Sequence, residues 1–227
     1  MYGRPTRRRM PSFRQPLRLV PVLLLACVVA GAAFAAAPQP VRLNAADQAA
    51  ARAATLKSGD LGPGWKGGAR KPDLTRDDAD RCGIEYADLV LTGKAESQFT
   101  APGAYVASYS EVLQTKRMVQ LEWKRAVTSG ALVRCLRKSL AEDQPGTLVS
   151  FKRIPFSRVG PLSARYRLVQ DYTSSGRTTR VLMDMILLGR GRSEVTLVVS
   201  VPYAERGAVA AAELRLARLL ASRMRTT

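Results

Sequence analysis

The sequence predicts an α+β domain, a mainly antiparallel sheet of about five strands with helices packed on one face. Three observations carry that expectation. Between Thr147 and Val201, strand-like segments follow one another through short polar turns, and such local connections force antiparallel pairing. A long stretch of helical periodicity precedes them. An amphipathic segment ends the chain, and such a helix most often covers a sheet.

The elements follow in order. Asn44 is placed to cap a helix over about Ala45 to Leu56. Leu61-Gly62-Pro63-Gly64-Trp65 reads as a tight loop whose tryptophan anchors at the edge of the core. Lys66 to Arg81 is polar and reads as a solvated charged loop. A calcium-loop frame starting at Asp78 needs a bidentate Glu at its twelfth position and finds Leu89, so no metal site is expected. Tyr105 to Leu113 alternates as a strand. Thr115 opens a helical stretch to about Leu140, with Val119, Trp123, Val127, Leu132, Cys135 and Leu136 at helical spacing and a bend at Ser129-Gly130.

Four strands come next, over about 147–156, 162–172, 179–188 and 193–201. Thr173 to Gly176 is a hairpin connection. Thr179 to Leu188 is apolar on both faces, as in a central strand. Gly189-Arg190-Gly191-Arg192 reads as an exposed hairpin tip; a strand follows it, so it is not a phosphate loop. The closing helix runs from about Ala204 to Met224, with Val209, Ala212, Leu216, Leu219, Leu220 and Met224 as its apolar face. The expected order is α-β-α-β-β-β-β-α.

The N-terminus sets the compartment. Arg4, Arg7, Arg8, Arg9, Arg14 and Arg18 precede an uncharged run from Leu19 to Ala37, and Ala33-Phe34-Ala35 offers a cleavage pattern. Residues 1–37 are therefore expected to be a signal peptide or an N-terminal membrane anchor, residues 38–44 a linker and residues 45–227 a single extracytoplasmic domain. Cys27 after Leu24-Leu25-Ala26 also faintly matches a lipidation box. The run approaches the roughly 20 residues that span a bilayer, so cleavage, retention and lipidation all stay open. The protein is expected to be secreted or anchored on the outer face of the membrane.

In an exported domain, Cys82 and Cys135 read as one disulfide. No histidine occurs, which removes the commonest general base at neutral pH and every Ser-His-Asp or Cys-His arrangement. No catalytic residues, metal and cofactor are expected. The chain has 36 basic and 18 acidic residues. Without the six N-terminal arginines it would still carry about +12.

Leu61 to Trp65, the Trp123…Cys135 helix, the late run of strands and the final helix together resemble a group of secreted or anchored actinobacterial proteins of unknown function. More distantly, they are similar to the extracellular sensor domain of PknH-type mycobacterial kinases. The resemblance implies a cleft between sheet and helices that holds a ligand. Those sensor domains carry two disulfides where this mature chain can form one, and no functional residue transfers.

Three functions compete. The first is a non-catalytic binding or sensing domain for an unknown small or apolar ligand. Its weak candidate residue is Asp184, mid-strand between two methionines, with Arg165 or Arg167 as a structural partner. The second is an electrostatic binder of anionic cell-envelope polymer or membrane surface, through Arg134, Arg137, Lys138, Lys116, Arg117, Lys124 and Arg125. Nucleic acid is not an expected partner outside the cell. The third is a His-independent hydrolase using two carboxylates from among Asp184, Glu194 and Glu111.

Overall fold

The computed structural model describes residues 39–74, 84–142 and 146–224. The α+β class holds, with seven strands where about five were expected. The sheet order is β1-β2-β3-β7-β6-β5-β4, and every neighbouring pair is antiparallel. Its strands are β1 (Lys66–Arg70), β2 (Leu91–Ala101), β3 (Ala104–Leu113), β4 (Thr147–Ile154), β5 (Leu162–Ser174), β6 (Arg177–Arg190) and β7 (Ser193–Pro202). The helices are α1 (Ala45–Ala53), α2 (Lys116–Trp123), α3 (Ala131–Glu142) and α4 (Arg206–Arg223).

The two extra strands lie where the sequence is least strand-like. β1 is Lys-Gly-Gly-Ala-Arg, within the segment read as a solvated loop. Its edge position, with pairing to β2 alone, makes it a strand. β2 is built mostly from small and polar residues and is buried between β1 and β3. Backbone pairing on both sides, rather than β-branched side chains, holds it.

Helix starts follow local chemistry. Asn44 Oδ1 accepts the Asp47 N–H at 2.9 Å, and the Thr115 side chain accepts from the Met118 N–H. α2 runs into a π-turn over Lys124–Thr128. Gly130, at φ 72°, then makes the expected bend before α3. The extended segment ahead of α1 lies along the start of β2. The Arg42 N–H donates to Leu91 O at 2.8 Å, and the Leu91 N–H donates to Pro40 O at 2.9 Å.

Helices cover both faces of the sheet, not one. Along β6 the side chains alternate. Leu182, Ile186 and Leu188 pack with Val209, Leu216 and Leu220 of α4. Met183, Met185 and Leu187 pack with Trp123, Val127 and Leu140 from the α2–α3 side. A strand apolar on both faces requires burial of both. Trp65 packs at the edge of the α4-side core, as expected.

Gly93 lets α1 lie close on β2. A Cβ there would overlap the Asp47 carbonyl and the Gln48 backbone nitrogen. Gly93→Ala is expected to destabilise the fold by about 1–3 kcal/mol, because α1 must lift from the sheet. Urea denaturation checks this, and an unchanged midpoint would show that α1 moves freely.

The turn between β6 and β7 is not a solvent-exposed tip. Arg190 Nη1 donates to Ala221 O at 3.2 Å, at the end of α4. Arg192 Nε donates to Leu113 O, and its Nη2 lies 2.5 Å from Asp47 Oδ2.

Candidate ligand pocket

Pairing across β2, β3 and β7 builds the site. Lys94, Glu111 and Glu194 stand opposite one another in one row across the three strands. Glu96, Tyr109 and Thr196 form the neighbouring row. Successive side chains alternate faces, so both rows, two residues apart, point to the α2 side. α2 then brings Glu122 and Trp123 down onto them. Between helix and sheet lies a cavity of about 150 Å³, lined by Tyr109, Glu111, Glu122, Trp123, Thr196 and Glu194 among others.

Three carboxylates therefore converge on one cavity in a strongly basic protein. Glu111 and Glu194 are directly opposite, an arrangement that costs stability between like charges. Lys94 Nζ lies 3.2 Å from Glu111 Oε1 and offsets part of this. Burial pushes the Glu96 carboxyl in the neighbouring row above its ordinary range. Tyr105 and Tyr109 extend the aromatic wall, with their hydroxyls 3.5 Å apart. Burial, first, and then the Tyr109 contact push Tyr105 upward.

Asp184 lies elsewhere. It faces α4, on the opposite side of the sheet, and is fully buried. Arg167 grips it with two hydrogen bonds, Nε to Oδ1 at 2.8 Å and Nη2 to Oδ2 at 2.6 Å. Arg165 Nη2 adds a third at 2.6 Å. The partners named from the sequence are thus both engaged, in a structural ion cluster. Burial pushes the Asp184 carboxyl up, but the hydrogen bonds from Arg167, Glu213 and Arg165 outweigh it and hold the group below its ordinary range. Asp184 and Glu194, on adjacent strands, point to opposite faces of the sheet, whereas Glu111 and Glu194 line one cavity.

Glu213 completes that cluster from α4. It is fully buried, and its Oε2 lies 2.5 Å from Arg165 Nη2. Burial, then the neighbouring Asp184 carboxylate, push its carboxyl up to about 8, so at neutral pH it holds a proton. One proton is thereby shared between two buried carboxyls beneath two guanidinium groups.

Glu122 and Glu213 were not singled out by the sequence reading. Each leaves the same signal, a charged residue inside an apolar stripe. Glu122 follows Val119 by three and precedes Ala126 by four, while Glu213 follows Val209 by four and precedes Leu216 by three.

The basic residues of α2 and α3 are not one free face. Arg125 is held by Asp88 through both its Nη1 and Nη2. Arg137 donates to Phe151 O and Arg134 to Ser129 O. Lys116, Arg117, Lys124 and Lys138 are exposed. Cys135 sits on α3, whereas Cys82 and the acidic run from Asp77 to Asp80 lie outside the described residues. Among the described residues no group of His, Cys, Asp and Glu side chains is disposed to hold a metal ion. No helix among them is long and apolar enough to cross a membrane, and the Leu19–Ala37 run lies outside them.

No family model matches the chain, and no curated protein matches it. Two solved structures show partial likeness. One is LpqN of Mycobacterium tuberculosis, described as involved in cell envelope biogenesis, at 11% identity and a TM-score of 0.32, over 71% of this chain and 85% of that one. The other is a Pseudomonas aeruginosa protein of unknown function, PA94, described as a putative regulator. It has 12% identity and a TM-score of 0.30, over 51% of this chain and 74% of that one.

Proposed function

We propose that the chain is a non-catalytic binding or sensing domain on the extracytoplasmic side of the membrane, with its ligand held between α2 and the sheet. The single observation that carries this is the cavity walled by Trp123 and Tyr109 and floored by carboxylates. At about 150 Å³ it is smaller than the roughly 300–1,000 Å³ of drug-sized sites. It therefore suits a small molecule, or one end of a longer one. Carboxylates only accept hydrogen bonds when ionised, so the bound group presents donors to Glu111 and Glu194 and an apolar surface to the indole. The export signal at 1–37 and a Cys82–Cys135 disulfide belong to the same proposal. So does the resemblance to exported actinobacterial proteins and PknH-type sensor domains.

A hydrolase reading draws on one observation, that Glu111 and Glu194 share a cavity. General acid catalysis would require one of them to stay protonated at neutral pH. Lys94 Nζ lies 3.2 Å from Glu111 Oε1, so Glu111 already acts as an acceptor toward a cation. The paired-carboxylate arrangement is therefore better suited to holding a donor than to supplying a proton.

The test is mass spectrometry of small molecules that co-purify with the exported protein, compared with those on Trp123→Ala and Glu194→Gln variants. Wild type is expected to retain a species that both variants lose by roughly tenfold or more, about the loss of one buried contact. Far-UV circular dichroism should show all three folded. Equal retention by all three proteins would remove the cavity as the site.

A further inference from the structure

The end of the sheet where the chain enters gathers features of a different surface. Val41 bridges to Leu91, which stands opposite Leu113. Lys116 and Arg117, three and four residues past Leu113, form the first turn of α2. The β6–β7 turn and the end of α4 meet at the same end, joined by the Arg190–Ala221 contact. Arg158 follows β4 and bonds to Gly160, just ahead of the Leu162–Gly189 pair at the same end.

Arg42, Lys116, Arg117 and Arg158 are all exposed, and none makes an ion pair with a described residue. Described acidic groups nearby are already engaged, Asp47 by Arg192 and Asp88 by Arg125. Lys116 and Arg117 also oppose the helix dipole, because cations disfavour a helix N-terminus. Local stability therefore does not explain their position. Beside β2 at this end lie Val41 and Leu43, two of the exposed large apolar side chains, at 40% and 39%. The uncharged run Leu19–Ala37 ends four residues before Val41.

We propose that this end of the domain docks on a bilayer rich in anionic phospholipid. Arg42, Lys116, Arg117 and Arg158 pair with phosphate groups, while Val41 and Leu43 enter the headgroup layer. The arrangement joins exposed basic side chains to a small apolar segment at one end of the sheet, the combination that binds an anionic interface reversibly. Docking orients the sheet with the Arg177 turn farthest from the lipid, since β6 spans its whole length between Arg177 and Arg190. The inference stands independently of the ligand pocket.

The test uses the full-length protein reconstituted with vesicles of phosphatidylcholine alone or with added phosphatidylglycerol. A photo-crosslinking residue replaces Gln114, an exposed neighbour of the α2 start, or Arg177 at the opposite end. Lipid adducts are expected at 114, several-fold more with phosphatidylglycerol, and not at 177. Removing charge by Lys116→Gln or Arg117→Gln is expected to weaken the anionic preference about fivefold each. Val41→Ser with Leu43→Ser should lower the yield on both vesicles. Equal adducts at 114 with neutral and anionic lipid would reduce the effect to tethering through residues 1–37 and overturn the proposal. Equal adducts at 114 and 177 would overturn it as non-specific attraction of a basic chain.

Discussion

Asp184→Asn is expected to lower the unfolding free energy by about 3–5 kcal/mol, the usual cost of removing one member of a buried ion cluster. The carboxylate accepts three hydrogen bonds from Arg165 and Arg167 at full burial. An amide cannot neutralise two guanidinium groups, so Arg165 would remain charged while buried and Arg167 while half-buried. The penalty should depend on pH. At low pH, where Glu213 is protonated, the arginines are left without a counter-charge. At higher pH, with the Asp184 charge gone, Glu213 ionises more readily beside Arg165 and offsets part of the loss. Urea denaturation at pH 5 and pH 8 checks both points, and the variant should be relatively worse at pH 5. A penalty below about 1 kcal/mol at both pH values, as for a surface pair, would show that the cluster does not hold α4 to the sheet.

The second large effect is a decline in stability with rising pH. Glu213 titrates at about 8 in the fold, against the ordinary 4.5 for an unstructured chain. Between those values the folded state binds more protons than the unfolded state, so stability falls as pH rises. The contribution is complete below about pH 4.5 and is lost through pH 8. The chain has no histidine, so few other groups titrate across this window. Glu213→Gln keeps the shape of the protonated acid and removes its titration. It is expected to flatten the decline and to match or exceed wild type at pH 8. Denaturation midpoints measured at intervals from pH 5 to 8 would show this, and identical slopes for both proteins would exclude Glu213 as the source.

These two predictions rest on a residue that the sequence reading passed over. Sequence periodicity places the apolar face of α4 on Val209, Ala212, Leu216 and Leu219, yet Ala212 is exposed, and Glu213 is buried with Ala217 and Ala221. Leucine and arginine crowd that segment and blur its stripe. The buried line became visible only against β5 and β6, which supply Arg165, Arg167 and Asp184 for the glutamate to meet. Asp184 itself was legible, because a lone charge in a strand apolar on both faces requires a partner.

The pocket was legible in part. Glu111 and Glu194 both stood out as strand carboxylates. That they face each other follows from β3 pairing with β7, a contact between strands about 80 residues apart in the chain. No periodicity within either strand encodes that neighbour.

By itself, the sequence determined the class, the helix caps at Asn44 and Thr115, the bend at Gly130 and the run of hairpins from β4 to β7. Each depends on neighbours a few residues away, where side-chain pattern and turn chemistry act directly. Tertiary structure decided the strand roles of β1 and β2, the cover on both faces, the inward turn of Arg192 and the company kept by Glu213. Those depend on burial and pairing between distant segments, which fix a weak local preference only after the sheet has assembled.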